Sequence, residues 1–301
     1  MRRRPALAAL AILAAQAAFA QAPYPAKPIR IIVPFAPGGG TDATARIVGQ
    51  PLSESLGQPV VLDNRPGAGT MLGTELTQRA APDGYTVLIC SMAHVLNPIM
   101  YRKVNYDPVK DFQPVTLAIS FSTLLVIHPA HPVQSVKELI ALARAQPGKL
   151  AFASSGTGAS NHLAGEMLKH LAGIDLLHVP YKGGGPAMND VIGGQVPLMF
   201  GTVLETMPQV RGGRLRALAV SSAKRAPYAP DLPTVAEAGV AGFDLTGWYG
   251  FLLPAMTPPG VVNRLNAEMT RILGTPAVRE RMTALGVEPW PTTPEAFRQH
   301  I

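Results

Sequence analysis

The chain has 301 residues, of which 47% are hydrophobic and 15% charged, and it contains one cysteine. A single cysteine excludes an internal disulfide, so a hydrophobic core must hold the fold, and the length is sufficient for two lobes. The formal net charge of +7 falls to +4 when Arg2, Arg3 and Arg4 are removed, a mild excess that suits an anionic ligand. The sequence has no dense Lys/Arg stripe with interleaved aromatics, so nothing in it indicates a nucleic-acid-binding protein.

The N-terminus has the organisation of a secretion signal. The three arginines precede an apolar, alanine-rich stretch over residues 5–20 that ends in Ala18-Phe19-Ala20. A positive start, a short apolar region and a small-x-small end are typical of a signal peptide. We therefore predict that residues 1–20 are a signal peptide, cleaved after about Ala20, and that the mature protein is soluble in the periplasm.

Strand and helix patterns alternate along the mature chain. In the first half, strands are predicted over residues 29–35, 60–63 and 85–90, and helices over 41–56 and 71–80. The second half repeats this alternation, with strands over 122–128, 150–154, 175–179, 196–200 and 215–220 and helices over 136–145, 159–171, 186–192 and 205–210. A helix is also predicted over 261–273, and another begins at Pro294. The alternation predicts an α/β protein with parallel strands covered by helices.

Each half contains a strand that runs into a glycine-rich turn, which then opens a helix. The first such loop follows the strand over 29–35 and contains Phe35, Pro37, Gly38, Gly39, Gly40, Thr41 and Asp42. The second follows the strand over 150–154 and contains Ser154, Ser155, Gly156, Thr157 and Gly158, with His162 in the first turn of its helix. Free N–H groups at a helix start favour an anion, so the two loops predict a ligand held from both sides.

The first loop also satisfies a different motif. Gly38, Gly40 and Ala43 fit the dinucleotide fingerprint G-x-G-x-x-G/A, and Asp63 ends the next strand, where a ribose-binding acid would lie. A secreted NAD(P)-dependent oxidoreductase is therefore the alternative. The export signal and the second, equivalent loop both count against it.

Other catalytic and metal motifs are missing from the sequence. The histidine spacings do not suit a metal site, and no G-x-S-x-G elbow or Walker lysine is found. Nothing near Cys90 would activate its thiol. We predict a non-catalytic protein without cofactor or metal.

An ordered set of short motifs carries a family resemblance over essentially the whole mature chain. It includes Tyr24 to Asp42, Asn64-Arg65-Pro66-Gly67-Ala68-Gly69, Ala81-Pro82-Asp83-Gly84-Tyr85, Tyr106-Asp107-Pro108, Ser154 to Leu163, His178-Val179-Pro180-Tyr181-Lys182-Gly183 and Leu232-Pro233-Thr234. In these motifs the chain resembles the extracytoplasmic solute receptors of tripartite tricarboxylate transporters, also called Bug proteins.

The resemblance implies a two-lobed periplasmic-binding-protein fold of type II, the Venus-flytrap fold, with two crossover segments. We expect one lobe to comprise residues 21–121 and 247–301 and the other to comprise residues 122–246. The ligand would be a small carboxylate held by both loops, with Tyr181 closing the pocket. The expected partners are the membrane subunits of a transporter, and the receptor is expected to be a monomer. An orphan ligand sensor for a signalling partner is a further alternative.

One departure from the family bears on the ligand. Members often carry an acid or amide just after the strand over 196–200, whereas this chain has Gly201 and Thr202. Such an acid would hold a ligand ammonium, so its loss makes an amino-acid ligand less attractive. Thr202 is kept as a candidate ligand-binding residue.

Overall fold

Four strands and three helices form the first lobe of the computed structural model, which describes residues 24–301. The predicted signal peptide lies outside these residues. Strands β1 (Ile29–Val33), β2 (Val60–Asn64) and β3 (Thr86–Ser91) are parallel, and β9 (Thr246–Pro254) runs antiparallel beside β3. Helices α1 (Gly40–Leu56) and α2 (Met71–Gln78) lie between the parallel strands, and α3 (Met92–Met100) follows β3. The alternating pattern of the sequence is thus confirmed as an α/β architecture.

The second lobe repeats this arrangement. Its strands are β5 (Ala151–Ser154), β6 (Leu177–Pro180), β7 (Leu198–Thr202) and β8 (Arg216–Val220). Its helices are α4 (Val136–Ala145), α5 (Ser160–Ala172), α6 (Gly184–Ile192) and α7 (Val203–Arg211). Strand β5 is parallel to both β6 and β7, so the loops after these strands emerge at one edge of the sheet.

One long strand, β4 (Phe112–Ile127), joins the lobes. Its residues 112–122 pair with β9, and its residues 123–127 pair with β7 and β8, so the strand changes sheets after Ser122. The chain returns where the Leu245 N–H donates to the Ser221 carbonyl at 2.8 Å and β9 begins. Only the second part of β4 was predicted from sequence. The lobe boundaries after residues 121 and 246 stay a prediction.

The C-terminal segment covers the first sheet. It contains α8 (Pro259–Gly274), α9 (Pro276–Ala284), the short strand β10 (Glu288–Pro289) and α10 (Pro294–His300). Phe297 of α10 is fully buried and packs on Gly250, where an added Cβ would lie 2.4 Å from its ring. The glycine in β9 is therefore what lets α10 approach the sheet.

The central strands of both sheets are buried on both faces. In β1, Ile29, Ile31 and Ile32 are fully buried, as expected for a parallel strand with helices on both sides. None of the helices described between residues 24 and 301 has the length and apolarity to cross a membrane.

Candidate ligand-binding cleft

The first glycine loop connects β1 to α1. The Gly38 N–H donates to Asp42 Oδ2 at 3.2 Å, and Asp42 also accepts from Arg46 Nε at 2.9 Å and from Asn64 Nδ2 at 3.1 Å. Burial alone raises the pKa of Asp42, but the hydrogen bonds from Arg46 and Asn64 outweigh it and lower the pKa. An ionised Asp42, in the first turn of α1, therefore stabilises the conformation of the first glycine loop.

The second glycine loop, between β5 and α5, is held by its own lobe's side chains. Ser154 Oγ lies 2.6 Å from His178 Nε2 and accepts from the Gly156 N–H at 3.1 Å. The Gly158 N–H donates to His162 Nδ1 at 3.2 Å. Gly156 has a φ of 129°, a conformation that side chains rarely allow. His162 and Ser154 therefore fix this loop.

A third glycine loop, after β6, touches the first loop across the cleft. The Ala36 N–H donates to the Lys182 carbonyl at 2.8 Å. A Cβ added to Gly185 would lie 2.4 Å from the Pro37 carbonyl oxygen. The two lobes are thus in backbone contact at these loops.

A small cavity is enclosed where the loops of both lobes meet. The volume open to the centre of a water molecule is about 10 Å³. The lining residues are Phe35, Gly39, Gly40, Thr41, Ser91, Ser155, Ala159, Ser160, Gly184, Thr202, Glu205 and Tyr249. Because residues of both lobes close it, a larger molecule can enter only when the lobes separate.

Hydrogen-bond donors converge on this cavity. Ser91, at the end of β3, is 6% exposed, and its hydroxyl has no hydrogen-bond partner within residues 24–301. In the first turn of α1, the N–H group of Thr41, which also lines the cavity, donates to no acceptor within the same part of the chain. A buried hydroxyl without a partner costs stability unless a ligand or water completes it. The cavity therefore has the character of a binding site for a hydrogen-bond acceptor.

One acceptor also faces the cavity. Glu205 is 8% exposed and accepts hydrogen bonds from the N–H groups of Gly40, at 3.2 Å, and Thr202, at 3.0 Å. Burial raises the pKa of Glu205 to about 7. Gly40 belongs to the first lobe and Thr202 to the second, so this carboxylate joins the lobes at the floor of the cleft.

An outer groove of about 220 Å³ continues from the cavity, with Phe35 and Ser155 shared by both. Ser155, Gly156, Thr157, Tyr181 and Lys182 line one side, and residues 67–70 line the other. Ala68 and Thr70 have positive φ angles of 47° and 81°, a backbone strain that is common at binding sites. Cavity and groove together form the candidate cleft.

The predicted site residues fall into four groups. Phe35, Gly39, Gly40, Thr41, Ser155 and Thr202 line the cavity, and Phe35, Ser155, Gly156, Thr157 and Tyr181 line the outer groove. Pro37 and Gly38 border a neighbouring surface groove. Asp42, Ser154, Gly158 and His162 act through the loop hydrogen bonds described above. Their roles in binding stay predictions.

Tyr181 is held away from the cavity floor. Its hydroxyl donates to Asp190 Oδ2 of α6 at 2.6 Å. Burial and the Asp190 carboxylate raise the pKa of Tyr181 to about 12. The Tyr181 hydroxyl is therefore tied to its own lobe, while the Tyr181 carbonyl oxygen would lie 3.1 Å from a Cβ added to Gly156.

Sequence reasoning missed Ser91, Ala159, Ser160, Gly184 and Glu205 of the cavity lining, and it assigned Tyr249 to the core rather than to the site. Ser91 is the last residue of β3 and the N-cap of α3, so the strand-to-helix rule used for the glycine loops applies to it too. Glu205 lies one helical turn after Gly201 and Thr202, the two positions where the family resemblance led us to expect an acid. Tyr249 lies close to Gly40: a Cβ added to Gly40 would be 3.1 Å from the Tyr249 phenol oxygen. This approach depends on the crossover of β9.

Comparison with known proteins identifies the family. Residues 44–301 match the model of the tripartite tricarboxylate transporter family receptor. The chain belongs to this family. A UPF0065 protein from the tcbD-tcbE intergenic region of Pseudomonas sp. (strain P51) is 42% identical over 275 residues, which is 91% of this chain and 82% of that protein.

Solved structures support both the family and the two-lobed fold. The periplasmic binding protein BugD is 38% identical with a TM-score of 0.89, and the match covers 92% of this chain and 93% of BugD. Rpa4515 of R. palustris with adipate is 35% identical (TM-score 0.90, 92% and 93% covered). MatC from Rhodopseudomonas palustris with bound malate is 33% identical (TM-score 0.87, 92% and 96% covered). The predicted periplasmic-binding-protein fold is confirmed, and these relatives are solute-binding receptors.

Proposed function

We propose that this receptor captures a small organic carboxylate in the cleft between its lobes and does not catalyse a reaction. The observation that carries the proposal is the cavity between the lobes, where the Ser91 hydroxyl, unpartnered within residues 24–301, and the first turn of α1 offer donors to an anion. Lys182, an exposed lysine at the outer groove, adds positive charge at the entrance. Dicarboxylates are the first class to test, because structures of similar receptors hold adipate and malate.

Binding would proceed by closure of the lobes around the ligand. In the closed form the ligand touches both lobes at once, so its affinity for that form is higher and it shifts the population towards closure. The closed form would then be recognised by membrane subunits in the periplasm, after cleavage of the signal peptide. A signalling partner in place of transporter subunits remains the second candidate, since the same closure would serve it.

The oxidoreductase alternative loses its main support. Two amides of the fingerprint loop, those of Gly38 and Gly40, donate to Asp42 and Glu205 of the chain itself. Asp63, the candidate ribose-binding acid, forms ion pairs with Arg30 and Arg65. Family membership favours a receptor over a dehydrogenase.

Isothermal titration calorimetry of the mature protein tests the proposal. Succinate, malate, adipate, aspartate, benzoate and NAD are titrated separately, after denaturation and refolding to remove any retained ligand. We expect saturable binding of at least one carboxylate and none of NAD. Binding of NAD alone, or of no carboxylate, would contradict the proposed function.

A further inference from the structure

Glu205 occupies the place where an anion would sit at the start of α1. Its Oε2 accepts from the Gly40 N–H of the first lobe, and its Oε1 accepts from the Thr202 N–H of the second. The N-terminus of a helix attracts negative charge through its free N–H groups and its dipole. In the closed form, the chain's own carboxylate takes one of the donors that the first loop offers to a ligand.

The residues around the Glu205 carboxylate leave space for it. A Cβ on Gly184 would lie 2.1 Å from Glu205 Oε2, and a Cβ on Gly39 would lie 3.3 Å from the same atom. Glycines from both lobes thus leave the space that the side chain fills. Any larger residue at Gly184 would displace Glu205 from the cavity floor.

No cation neutralises Glu205 within residues 24–301; its hydrogen-bond partners there are the backbone N–H groups of Gly40 and Thr202. The titratable side chain that faces it is Tyr249 of β9, while α6 contributes Gly184. On α1, Asp42 is held by Arg46 and Asn64, and Arg214 borders the neighbouring surface groove. A buried carboxylate without a cation is costly, and a ligand that brings a donor or a positive charge removes that cost.

The geometry also limits what a ligand can place beside Glu205. An ionised carboxylate only accepts hydrogen bonds, so a second carboxylate or a methylene group at this point gains nothing from it. A hydroxyl or an ammonium group donates to it, while the ligand's own carboxylate uses the donors of Ser91 and of the first turn of α1.

We propose that Glu205 selects the ligand: it favours carboxylates that carry a hydroxyl or ammonium group beside the carboxylate over plain carboxylates of the same length. This inference rests on the proposed function, since it concerns the same cleft. The specificity would then depend on Glu205, which lies one helical turn after Gly201 and Thr202, the positions where the family resemblance led us to expect an acid.

Three four-carbon dicarboxylates test the proposal, because succinate, malate and aspartate differ only in the group beside one carboxylate. Calorimetric dissociation constants are measured at pH 8.5, where Glu205 is ionised, for the wild type, Glu205→Gln and the control Glu54→Gln. Glu54 is exposed on α1, away from the cleft. Glu205→Ala is the second variant, and thermal melting confirms that each variant is folded.

We expect the wild type and Glu54→Gln to bind malate or aspartate at least about tenfold more tightly than succinate, the size of a hydrogen bond to a charged group. In Glu205→Gln and Glu205→Ala this ratio should fall to within about threefold of unity. An unchanged ratio in both variants, or equal affinities in the wild type, would overturn the inference while leaving the proposed function intact. Failure of the wild type to bind any carboxylate would overturn both.

Discussion

The Ala36 N–H donates to the Lys182 carbonyl across the cleft, at 2.8 Å. This bond joins the first glycine loop of one lobe to the third glycine loop of the other. It needs backbone-to-backbone approach, and Gly183 and Gly185 provide it: an added Cβ would lie 2.9 Å from Ala36 N and 2.4 Å from Pro37 O, respectively. Separation of the lobes would therefore break this contact.

Gly185→Ala should weaken ligand binding without weakening the fold. Gly185 lies in helix α6, where alanine is intrinsically favoured over glycine, but its Cβ would collide with the Pro37 carbonyl only when the lobes close. A tenfold drop in the closed population raises the apparent dissociation constant about tenfold. We expect at least this loss by calorimetry, together with an unchanged or higher melting temperature.

Gly274→Ala is the matched control, because Gly274 ends α8 and an added Cβ there meets nothing within 4 Å. Small-angle scattering without ligand should show a larger radius of gyration for Gly185→Ala than for the control. Equal affinities of the two variants would show that the loops do not meet on binding.

Ser91→Ala should lower affinity and leave stability unchanged. The Ser91 hydroxyl is buried without a partner within the described residues, so its removal breaks no hydrogen bond of the protein. A lost ligand hydrogen bond costs about 0.5–1.5 kcal/mol, or roughly two- to tenfold in affinity. Thr270→Val is the control, since the Thr270 hydroxyl also lacks a partner among residues 24–301 but lies on α8. If both variants bind like the wild type, Ser91 does not contact the ligand.

Local patterns in the sequence predicted most of the elements, because glycines and capping residues mark their ends. The helix predicted to close at Gly57 ends there in a left-handed residue with φ 64°, and the helix predicted over 136–145 has Ser135 as its N-cap. The long strand β4 was found only in part, since its pairing partner β9 lies more than one hundred residues away. Pairings of this kind are set by the whole fold.

The site was predictable to the extent that it consists of loops following strands. Both glycine loops could be assigned because parallel strands bring their carboxyl ends to one edge. The amides, however, are partly taken by the chain's own groups: Gly40 by Glu205, and Gly158 by His162. Which N–H groups remain free to bind a ligand depends on side-chain positions in both lobes. Local sequence patterns do not predict these positions.

Acid should loosen the second glycine loop through His178. Burial, followed by the neighbouring His162, lowers the pKa of His178 to about 4. The ordinary pKa of 6.5 applies in the unfolded chain, which therefore binds more protons than the folded protein between pH 6.5 and pH 4. The free energy of unfolding should fall as the pH falls through this window, by up to about 3 kcal/mol from this group.

His178→Gln, whose amide can still bond to Ser154, should lose this part of the pH dependence in urea unfolding at pH 7 and pH 4.5. His170→Gln, at an exposed position on α5, is the control and should follow the wild type. His94 lies in the first lobe and its pKa is also lowered to about 4, so some acid sensitivity persists in both variants. Identical pH profiles for His178→Gln and the control would refute the role of His178.

Glu205 should give stability the opposite dependence on pH. Burial raises its pKa from 4.5 to about 7, so between these values the folded protein binds more protons than the unfolded chain. The free energy of unfolding therefore falls as the pH rises from about 4.5 to about 7, by up to roughly 3 kcal/mol. Opening of the cleft hydrates the carboxylate and makes this figure an upper bound.

Urea unfolding of wild type and Glu205→Gln at pH 5 and pH 8 measures the effect. Glutamine does not titrate, so its own hydrogen bonds contribute equally at both pH values. The change in the stability difference between wild type and Glu205→Gln from pH 5 to pH 8 therefore isolates ionisation of the Glu205 carboxyl group. We expect Glu205→Gln to gain stability relative to the wild type from pH 5 to pH 8, and Glu54→Gln to show no such gain. A stability difference independent of pH would mean that the Glu205 carboxylate is hydrated in solution, which places it in an open cleft.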